Sequence, residues 1–118
     1  MALVLIADDQ PPVRAACRRI LEGAGHDVAE AADGLRAVDL YRAAPRGVVL
    51  CDLDMPVMDG LGLIRRLKAE FSDVRIVATS GSDELRLAVA LGAVRAVAKP
   101  FRAADLVAAV TAALEPGA

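Results

Sequence analysis

The sequence has 118 residues, of which 56% are apolar and 25% charged, and this predicts a single globular domain over residues 1–118. The formal net charge is -2 and aromatic residues make up 3%, so the chain offers neither a basic field nor stacking side chains for direct nucleic-acid binding. The apolar N-terminal run from Met1 to Ala7 is too short for a membrane span or a signal peptide, so no membrane association and a cytoplasmic location are expected.

Strands and helices are predicted to alternate from the N-terminus onwards. A buried strand at Leu3–Ala7 is followed by a helical pattern whose apolar face runs from Val13 to Leu21. A Gly-Ala-Gly turn then leads to a weaker strand at Asp27–Ala31, and a second continuous apolar run follows at Gly47–Cys51. The two cysteines of the chain fall within these apolar patterns, so they are expected to be buried rather than paired or metal-bound.

The second half of the chain repeats the alternation. Apolar runs predict strands at Val74–Ala78 and Ala96–Ala98. Helical spacing of apolar residues predicts three further helices, with core faces formed by Leu61, Ile64, Leu67 and Phe71, by Leu85, Ala88, Val89 and Gly92, and by Leu106, Val110 and Ala113. Five alternations with short connections predict an α/β fold, a doubly wound five-stranded parallel sheet covered by helices on both faces.

The polar residues at the ends of the predicted strands carry the chemistry. In such a sheet, ligands bind beyond the carboxyl ends of the strands, where the strand order reverses. Those ends carry Asp8 and Asp9, Asp52 and Asp54, Thr79 and Ser80, and Lys99. Crowded carboxylates raise one another's pKa unless a cation holds them, and an open cluster of this size favours Mg²⁺, which takes one or two carboxylates plus a phosphate oxygen.

These residue types together favour phosphoryl transfer to an aspartate. The Asp52 carboxylate can act as a nucleophile and form an acyl phosphate. The Lys99 ammonium can pair with a phosphoryl oxygen, and the Thr79 hydroxyl can donate a hydrogen bond to one.

The same residues stand in a familiar arrangement. The apolar strand ending in Asp8-Asp9, the Asp52-Leu53-Asp54-Met55-Pro56-Val57-Met58-Asp59-Gly60 run and Lys99-Pro100-Phe101 together resemble the receiver domains of two-component response regulators. The resemblance covers nearly the whole chain. It implies a flavodoxin-like (βα)5 fold with strand order 2-1-3-4-5, and a phosphoacceptor that is not an enzyme beyond its own phosphorylation and dephosphorylation.

The resemblance also implies a role for each site residue. Asp52 would accept the phosphoryl group, Asp9 and Asp52 would ligate Mg²⁺ directly, Asp54 would ligate it through its main-chain carbonyl, and Asp8 would act through metal-bound water. Thr79 would follow the phosphoryl group and Lys99 would pair with it.

Partners are implied by the resemblance as well. The donor would be the histidine of a sensor histidine kinase or of a histidine phosphotransfer protein. The output would be a downstream protein target or a fused output domain, with scope for a phosphorylation-dependent dimer, through a surface around the fourth helix. Leu87 and Leu91 fall on a second apolar face of that helix, which is predicted to meet a partner, with burial under a neighbouring element as the alternative.

Two positions depart from the family pattern. Asp54 places an acidic side chain near the phosphoryl group, which is expected to alter the rates of phosphorylation and hydrolysis. Ala96 stands where an aromatic residue often acts as the conformational switch, so the switch is expected to run through the Thr79–Ser82 loop instead.

Three other functions compete with this interpretation. Asp52-Leu53-Asp54 imitates the nucleophile and general acid of haloacid-dehalogenase phosphatases, although the Met-Pro that follows and the earlier acidic pair do not fit that class. A flavodoxin-like cofactor binder would need a first loop that attracts phosphate, where Asp8-Asp9 would repel it. A receiver without phosphorylation, acting as an interaction module, is the third.

Overall fold

The computed structural model describes residues 2–55 and 58–115 of the chain. Pro56 and Val57, within the run that follows Asp52, lie outside the described residues. Strands and helices alternate in the order β1 (Leu3–Ala7), α1 (Pro11–Gly23), β2 (Asp27–Ala31), α2 (Gly34–Ala43), β3 (Val48–Asp52), α3 (Gly60–Glu70), β4 (Arg75–Ser80), α4 (Leu85–Ala90), β5 (Arg95–Ala98) and α5 (Ala103–Leu114). Within this part of the chain, no helix has the length and apolarity needed to cross a membrane.

The five strands form one parallel sheet in the order β2-β1-β3-β4-β5, which confirms the predicted fold. The bounds of β1 and β2 agree with the prediction, whereas β4 continues to Ser80, two residues beyond the predicted apolar run. The extension arises because Asp52 pairs with Thr79 in the β3–β4 ladder. The sheet therefore carries polar residues of the candidate site within its last rungs.

The core consists of two layers, one on each face of the sheet. Along β1, Val4 and Ile6 face the layer under α1 and α5, whereas Leu5 and Ala7 face the layer under α2, α3 and α4. This alternation follows from the two-residue period of a strand. In the second layer the Tyr41 ring of α2 meets the Phe71 ring at the end of α3 edge to face, with centroids 5.0 Å apart.

The helix after Asp52 begins unusually close to the strand. The Asp59 side chain caps α3 by accepting the N–H of Gly62 at 2.7 Å. A Cβ on Gly60 would lie 2.4 Å from the Cα of Leu53 and 2.6 Å from the carbonyl oxygen of Asp52. Real Cβ atoms essentially never approach backbone this closely, so glycine is required where α3 packs against the end of β3.

Helix α4 differs from its prediction. Val89, placed on the core face by its spacing, is 51% exposed, and Leu91, placed with Leu87 on the face predicted to meet a partner, packs against the core. The reason is that α4 has six residues and ends before Gly92, whose φ is 121°, so the core contacts fall at Leu85, Ala88 and Leu91. Leu87 is 45% exposed, as predicted.

We expect Gly60→Ala to lower the free energy of unfolding by about 1–3 kcal/mol, because the added methyl group overpacks the backbone of β3. Urea denaturation measures the change. Gly23→Ala at the end of α1 is the matched control, since a Cβ at that position would have no packing neighbour within 4 Å. That control should be neutral or more stable by up to about 1 kcal/mol. Equal midpoints for Gly60→Ala and the native chain would contradict the steric argument.

Candidate functional site

The carboxyl ends of β1 and β3 bring three carboxylates together. Asp8 and Asp9 follow β1, and Asp52 is the last residue of the neighbouring β3. One carboxylate oxygen from each of the three lies within 4.8 Å of the others. The cluster stands where the strand order reverses between β1 and β3, as expected for a ligand site in a doubly wound sheet.

Asp52 is anchored through one oxygen of its carboxylate. The side chain is buried, and its Oδ1 accepts hydrogen bonds at 3.1 Å from the Lys99 ammonium and at 3.1 Å from the main-chain N–H of Asp54. Within residues 2–55 and 58–115, both hydrogen bonds made to this carboxylate go to Oδ1. One oxygen is thus held in place, and the other is left for a reaction partner.

Lys99 supplies the positive charge of the site. It follows β5, and its main-chain N–H donates to the Ser80 carbonyl oxygen at 2.9 Å, which carries the side chain over the sheet edge. Burial opposes the charged form, but the hydrogen bond and charge of Asp52 and the charge of Asp8 outweigh it and raise the pKa of Lys99. The ammonium therefore stays charged across the physiological range.

Asp8 is the most constrained member of the acidic pair. Its main-chain N–H donates to the Ala31 carbonyl oxygen at 3.1 Å, and its Oδ1 accepts the Gln10 N–H at 2.9 Å. Burial raises the pKa of Asp8, and the charge of Asp52 adds to this against the lowering effect of the Gln10 N–H. The folded chain thus holds a carboxylate whose ionisation opposes folding in the absence of a cation.

Asp54 and Thr79 occupy the other side of the site. The Asp54 side chain is exposed, and its Oδ2 lies 3.5 Å from the hydroxyl of the fully buried Ser80. The Thr79 side chain is buried, and its main-chain carbonyl accepts the Leu53 N–H at 2.9 Å. In the described chain, the Asp54 carboxylate is not part of the close group formed by Asp8, Asp9 and Asp52.

Two contacts of the site had no counterpart in the sequence interpretation. The Ser80 hydroxyl bridges Asp54 and the Ser82 hydroxyl, which lies 2.8 Å away. The Arg14 guanidinium donates to the Asp8 carbonyl oxygen at 2.8 Å. The sequence held only weak signals of these two contacts. Ser80 is a second hydroxyl directly after Thr79, and Arg14 lies in the first turn of the helix that follows the acidic pair.

Cys51 lies directly beneath the site without sharing its chemistry. Both cysteines are buried, as the sequence predicted. Burial and the nearby charge of Asp52 raise the pKa of the Cys51 thiol well above its usual range. A protonated, enclosed thiol is a poor nucleophile, so Cys51 is a packing residue under the carboxylates.

The donor set fits Mg²⁺ in kind and number. Three carboxylate oxygens close to one another, beside the carbonyl-bearing loop after β3, match the oxygen ligands that this ion prefers. Asp9 is half-buried and Asp54 exposed, so the cluster is open to water and to an incoming anion. An open site of this type suits a metal that acts together with a phosphate group.

Comparison with known proteins identifies the same architecture elsewhere. A profile of the response regulator receiver domain matches residues 4–111. The chain is 32% identical to sporulation initiation phosphotransferase F of Bacillus subtilis, covering 83% of this chain and 82% of that protein. It is 38% identical to the tetrathionate response regulatory protein TtrR of Salmonella typhimurium, covering 97% of this chain but 57% of that protein.

The fold agrees equally well with a solved structure. The chemotaxis protein CheY4 of Vibrio cholerae superposes with a TM-score of 0.89 at 29% identity, covering 97% of this chain and 99% of that one. The similarity therefore extends over the whole sheet and all the strand ends that form the candidate site.

We expect Asp8→Asn to raise the free energy of unfolding at pH 7 by about 0.5–2 kcal/mol, the range of single stabilising substitutions. The folded-state pKa of Asp8 is raised above its ordinary value of 3.8, so the native chain loses stability as the pH rises from 3.8 through the folded-state pKa. Asparagine does not ionise, so the variant does not lose this stability. The difference in free energy of unfolding between the two proteins should therefore shrink as the pH falls towards 3.8.

Urea denaturation in metal-free buffer at several pH values measures this gap. Asp83→Asn is the matched control, because Asp83 is exposed and its removal should change stability by less than about 0.5 kcal/mol. A destabilised Asp8→Asn variant at pH 7 would show that Asp8 is not under electrostatic strain.

Proposed function

This chain belongs to the response regulator receiver domain family, and from this we propose that Asp52 is its phosphoacceptor, with Asp8 and Asp9 as the acidic partners of a Mg²⁺ ion. The observation that carries the proposal is the Asp52 carboxylate, buried at the centre of the acidic cluster and held on one oxygen by Lys99. A receiver domain is the signalling unit of a two-component system.

The proposed reaction is the transfer of a phosphoryl group from a phosphohistidine to Asp52. The free carboxylate oxygen of Asp52 forms a bond to phosphorus as the phosphorus–nitrogen bond breaks, and the imidazole leaves with the electron pair. The Lys99 ammonium lies 3.1 Å from the fixed oxygen, so it can turn towards the phosphoryl oxygens as charge moves to them. Hydrolysis of the acyl phosphate then returns the carboxylate.

Mg²⁺, when bound, would supply the charge neutralisation that lets an anionic phosphoryl group approach three carboxylates. Asp9 and Asp52 are proposed as its side-chain ligands, the main-chain carbonyl of Asp54 as a further ligand, and Asp8 as a contact through water. The proximity of the three carboxylates supports this set. Thr79, at the end of β4 beside Asp52, is proposed to donate its hydroxyl to a phosphoryl oxygen.

The phosphoryl donor is proposed to be a sensor histidine kinase or a histidine phosphotransfer protein in the cytoplasm. The chain spans 82% of sporulation initiation phosphotransferase F and about half of several DNA-binding or transcriptional regulators, so receivers of this family occur with and without further domains. We propose that residues 1–118 are one receiver unit. Its output is a downstream protein or a fused domain, contacted through the surface that exposes Leu87 of α4.

The signal is proposed to travel through the loop after β4. Ala96 is exposed on β5 and carries no ring that could turn inward behind Thr79. The Ser80 hydroxyl instead contacts the Ser82 hydroxyl at 2.8 Å, and Ser82 in turn accepts the Glu84 N–H at 3.4 Å, next to the start of α4. A movement of Thr79 towards a phosphoryl group can therefore displace this chain of contacts and the helix that follows.

We expect the native chain to take up one phosphoryl group from acetyl phosphate when Mg²⁺ is present, and Asp52→Asn to take up none. The neutral amide lacks the anionic oxygen that attacks phosphorus, but it has the same shape and keeps an oxygen that can accept from Lys99. Intact-mass spectrometry counts the phosphoryl groups. Asp54→Asn is the matched control, since it removes a neighbouring carboxylate but keeps Asp52; equal labelling of Asp52→Asn and native chain would refute the assignment.

We expect beryllofluoride, which mimics the phosphoryl group, to shift the amide resonances of the Thr79–Ser82 segment, at the end of β4 and in the loop after it, and of the first residues of α4 in the native chain. In Thr79→Ala the shifts should stay near Asp52, because the hydroxyl that follows the anion is missing. Two-dimensional NMR of both proteins with Mg²⁺ measures them. Identical shift patterns in the two proteins would rule out a relay through Thr79.

A further inference from the structure

Arg14 links three parts of the fold beside the acidic cluster. It lies in the first turns of α1, where its Nη1 donates to the main-chain carbonyl oxygen of Asp8 at 2.8 Å and its Nε donates to Oε1 of Glu30 on β2 at 3.2 Å. The Arg14 side chain is 17% exposed and that of Glu30 28%. The guanidinium is therefore fixed by a largely enclosed ion pair on one side and by the backbone of the acidic pair on the other.

We propose that Arg14 is a positioning residue for the Mg²⁺ site, which sets the direction of the Asp9 carboxylate by holding the peptide group between Asp8 and Asp9. The inference rests on the proposed function, because it concerns the same site. The Asp8 carbonyl and the Asp9 N–H belong to one planar peptide unit, so fixing the oxygen fixes where Asp9 begins.

The other contacts of Asp8 restrain the rotation of this peptide group only indirectly. Its N–H is bound to the Ala31 carbonyl, and its carboxylate is bound to the Gln10 N–H. The bond to the carboxylate closes a turn through the Asp8–Asp9 peptide, but neither of these two contacts is made to the Asp8 carbonyl oxygen, which accepts the Arg14 hydrogen bond. Residues that hydrogen-bond to a metal ligand and fix its orientation, without touching the metal, typically have a strong effect on metal affinity.

Arg18 provides a natural comparison on the same helix. It pairs with the second oxygen of Glu30 and donates to the Val28 carbonyl at 3.3 Å, so it contributes to the same ion-pair network. Arg18 has no hydrogen bond to the acidic pair among the described residues. The two arginines thus share Glu30 but differ in contact with Asp8.

Orientation and charge predict opposite effects of removing Arg14. Its positive charge close to a cation site would by itself repel Mg²⁺, so a variant that lost only this charge would bind the ion more tightly. Pairing with Glu30 offsets that repulsion. If Arg14 acts by orientation, its removal weakens Mg²⁺ binding instead.

The test compares Arg14→Met with Arg18→Met in the full chain, because methionine keeps the unbranched apolar stem and removes the donors. Titration with Mg²⁺, followed by amide shifts or calorimetry, should give a Kd raised about tenfold in Arg14→Met. Arg18→Met should stay within about twofold of the native value, since it leaves the contact with Asp8 in place. With acetyl phosphate, Arg14→Met should need more Mg²⁺ for half-maximal labelling yet reach the native rate at saturation.

An unchanged or lower Kd in Arg14→Met, or an equal rise in Arg18→Met, would overturn the proposal. Failure of the native chain to bind Mg²⁺ or to accept a phosphoryl group would instead refute the proposed function. The two are separable because the metal-free amide resonances of Asp8 and Asp9 should shift in Arg14→Met and not in Arg18→Met. If Arg14→Met does not fold, the same comparison can be made with Arg14→Lys and Arg18→Lys. Lysine keeps the positive charge but lacks the several N–H donors of the planar guanidinium, with which Arg14 bonds to Asp8 and Glu30 together.

Discussion

Mutual repulsion among three carboxylates at a partly dehydrated sheet edge is the constraint around which this molecule is organised. Asp8, Asp9 and Asp52 converge because parallel strands deliver their ends to one edge, and folding alone offers one ammonium in direct contact with Asp52, from Lys99, among the described residues. Such an edge favours the binding of a cation, and the bound cation would then allow an anion to approach. The close packing of Gly60 against Leu53 brings the start of α3 next to the end of β3, where Asp52 lies.

The two sides of the site differ in how firmly they are tied. On the β1 side, α1 and β2 are joined to the acidic pair by the Arg14–Glu30–Arg18 ion pairs and by the Asp8–Ala31 hydrogen bond. On the β4 side, a chain of serine hydroxyls leads to a helix of six residues that exposes large apolar side chains. If the proposed metal and output roles hold, the metal would bind on the side with more ion pairs, and the conformational change would occur on the side held by fewer contacts.

Sequence reasoning predicted the fold and gathered Asp8, Asp9, Asp52, Thr79 and Lys99 because strand ends in a parallel sheet are determined by order along the chain. It failed for Val89 and Leu91, since a helix of six residues does not sustain the period that the pattern assumed. It placed Ser80 at the strand end without predicting its contacts with Asp54 and Ser82, and it did not identify Arg14 as a contact of the site. Both act through hydrogen bonds whose partners depend on the direction of a carbonyl or hydroxyl group, and no residue pattern encodes that direction.

The edge-to-face pair of Tyr41 and Phe71 has a practical consequence for anyone who studies this protein in solution. The sequence contains no tryptophan and one tyrosine, so its intrinsic emission comes from a single ring buried between α2 and α3. That ring reports on the integrity of one helical layer, and it lies beside Leu3 and Arg46, towards the amino ends of β1 and β3 and away from the acidic edge at their carboxyl ends. Tyrosine fluorescence will therefore follow denaturation but will not respond to binding of a metal or a phosphoryl group. Ligand titrations will require isotope-labelled protein for NMR, calorimetry or an extrinsic fluorophore.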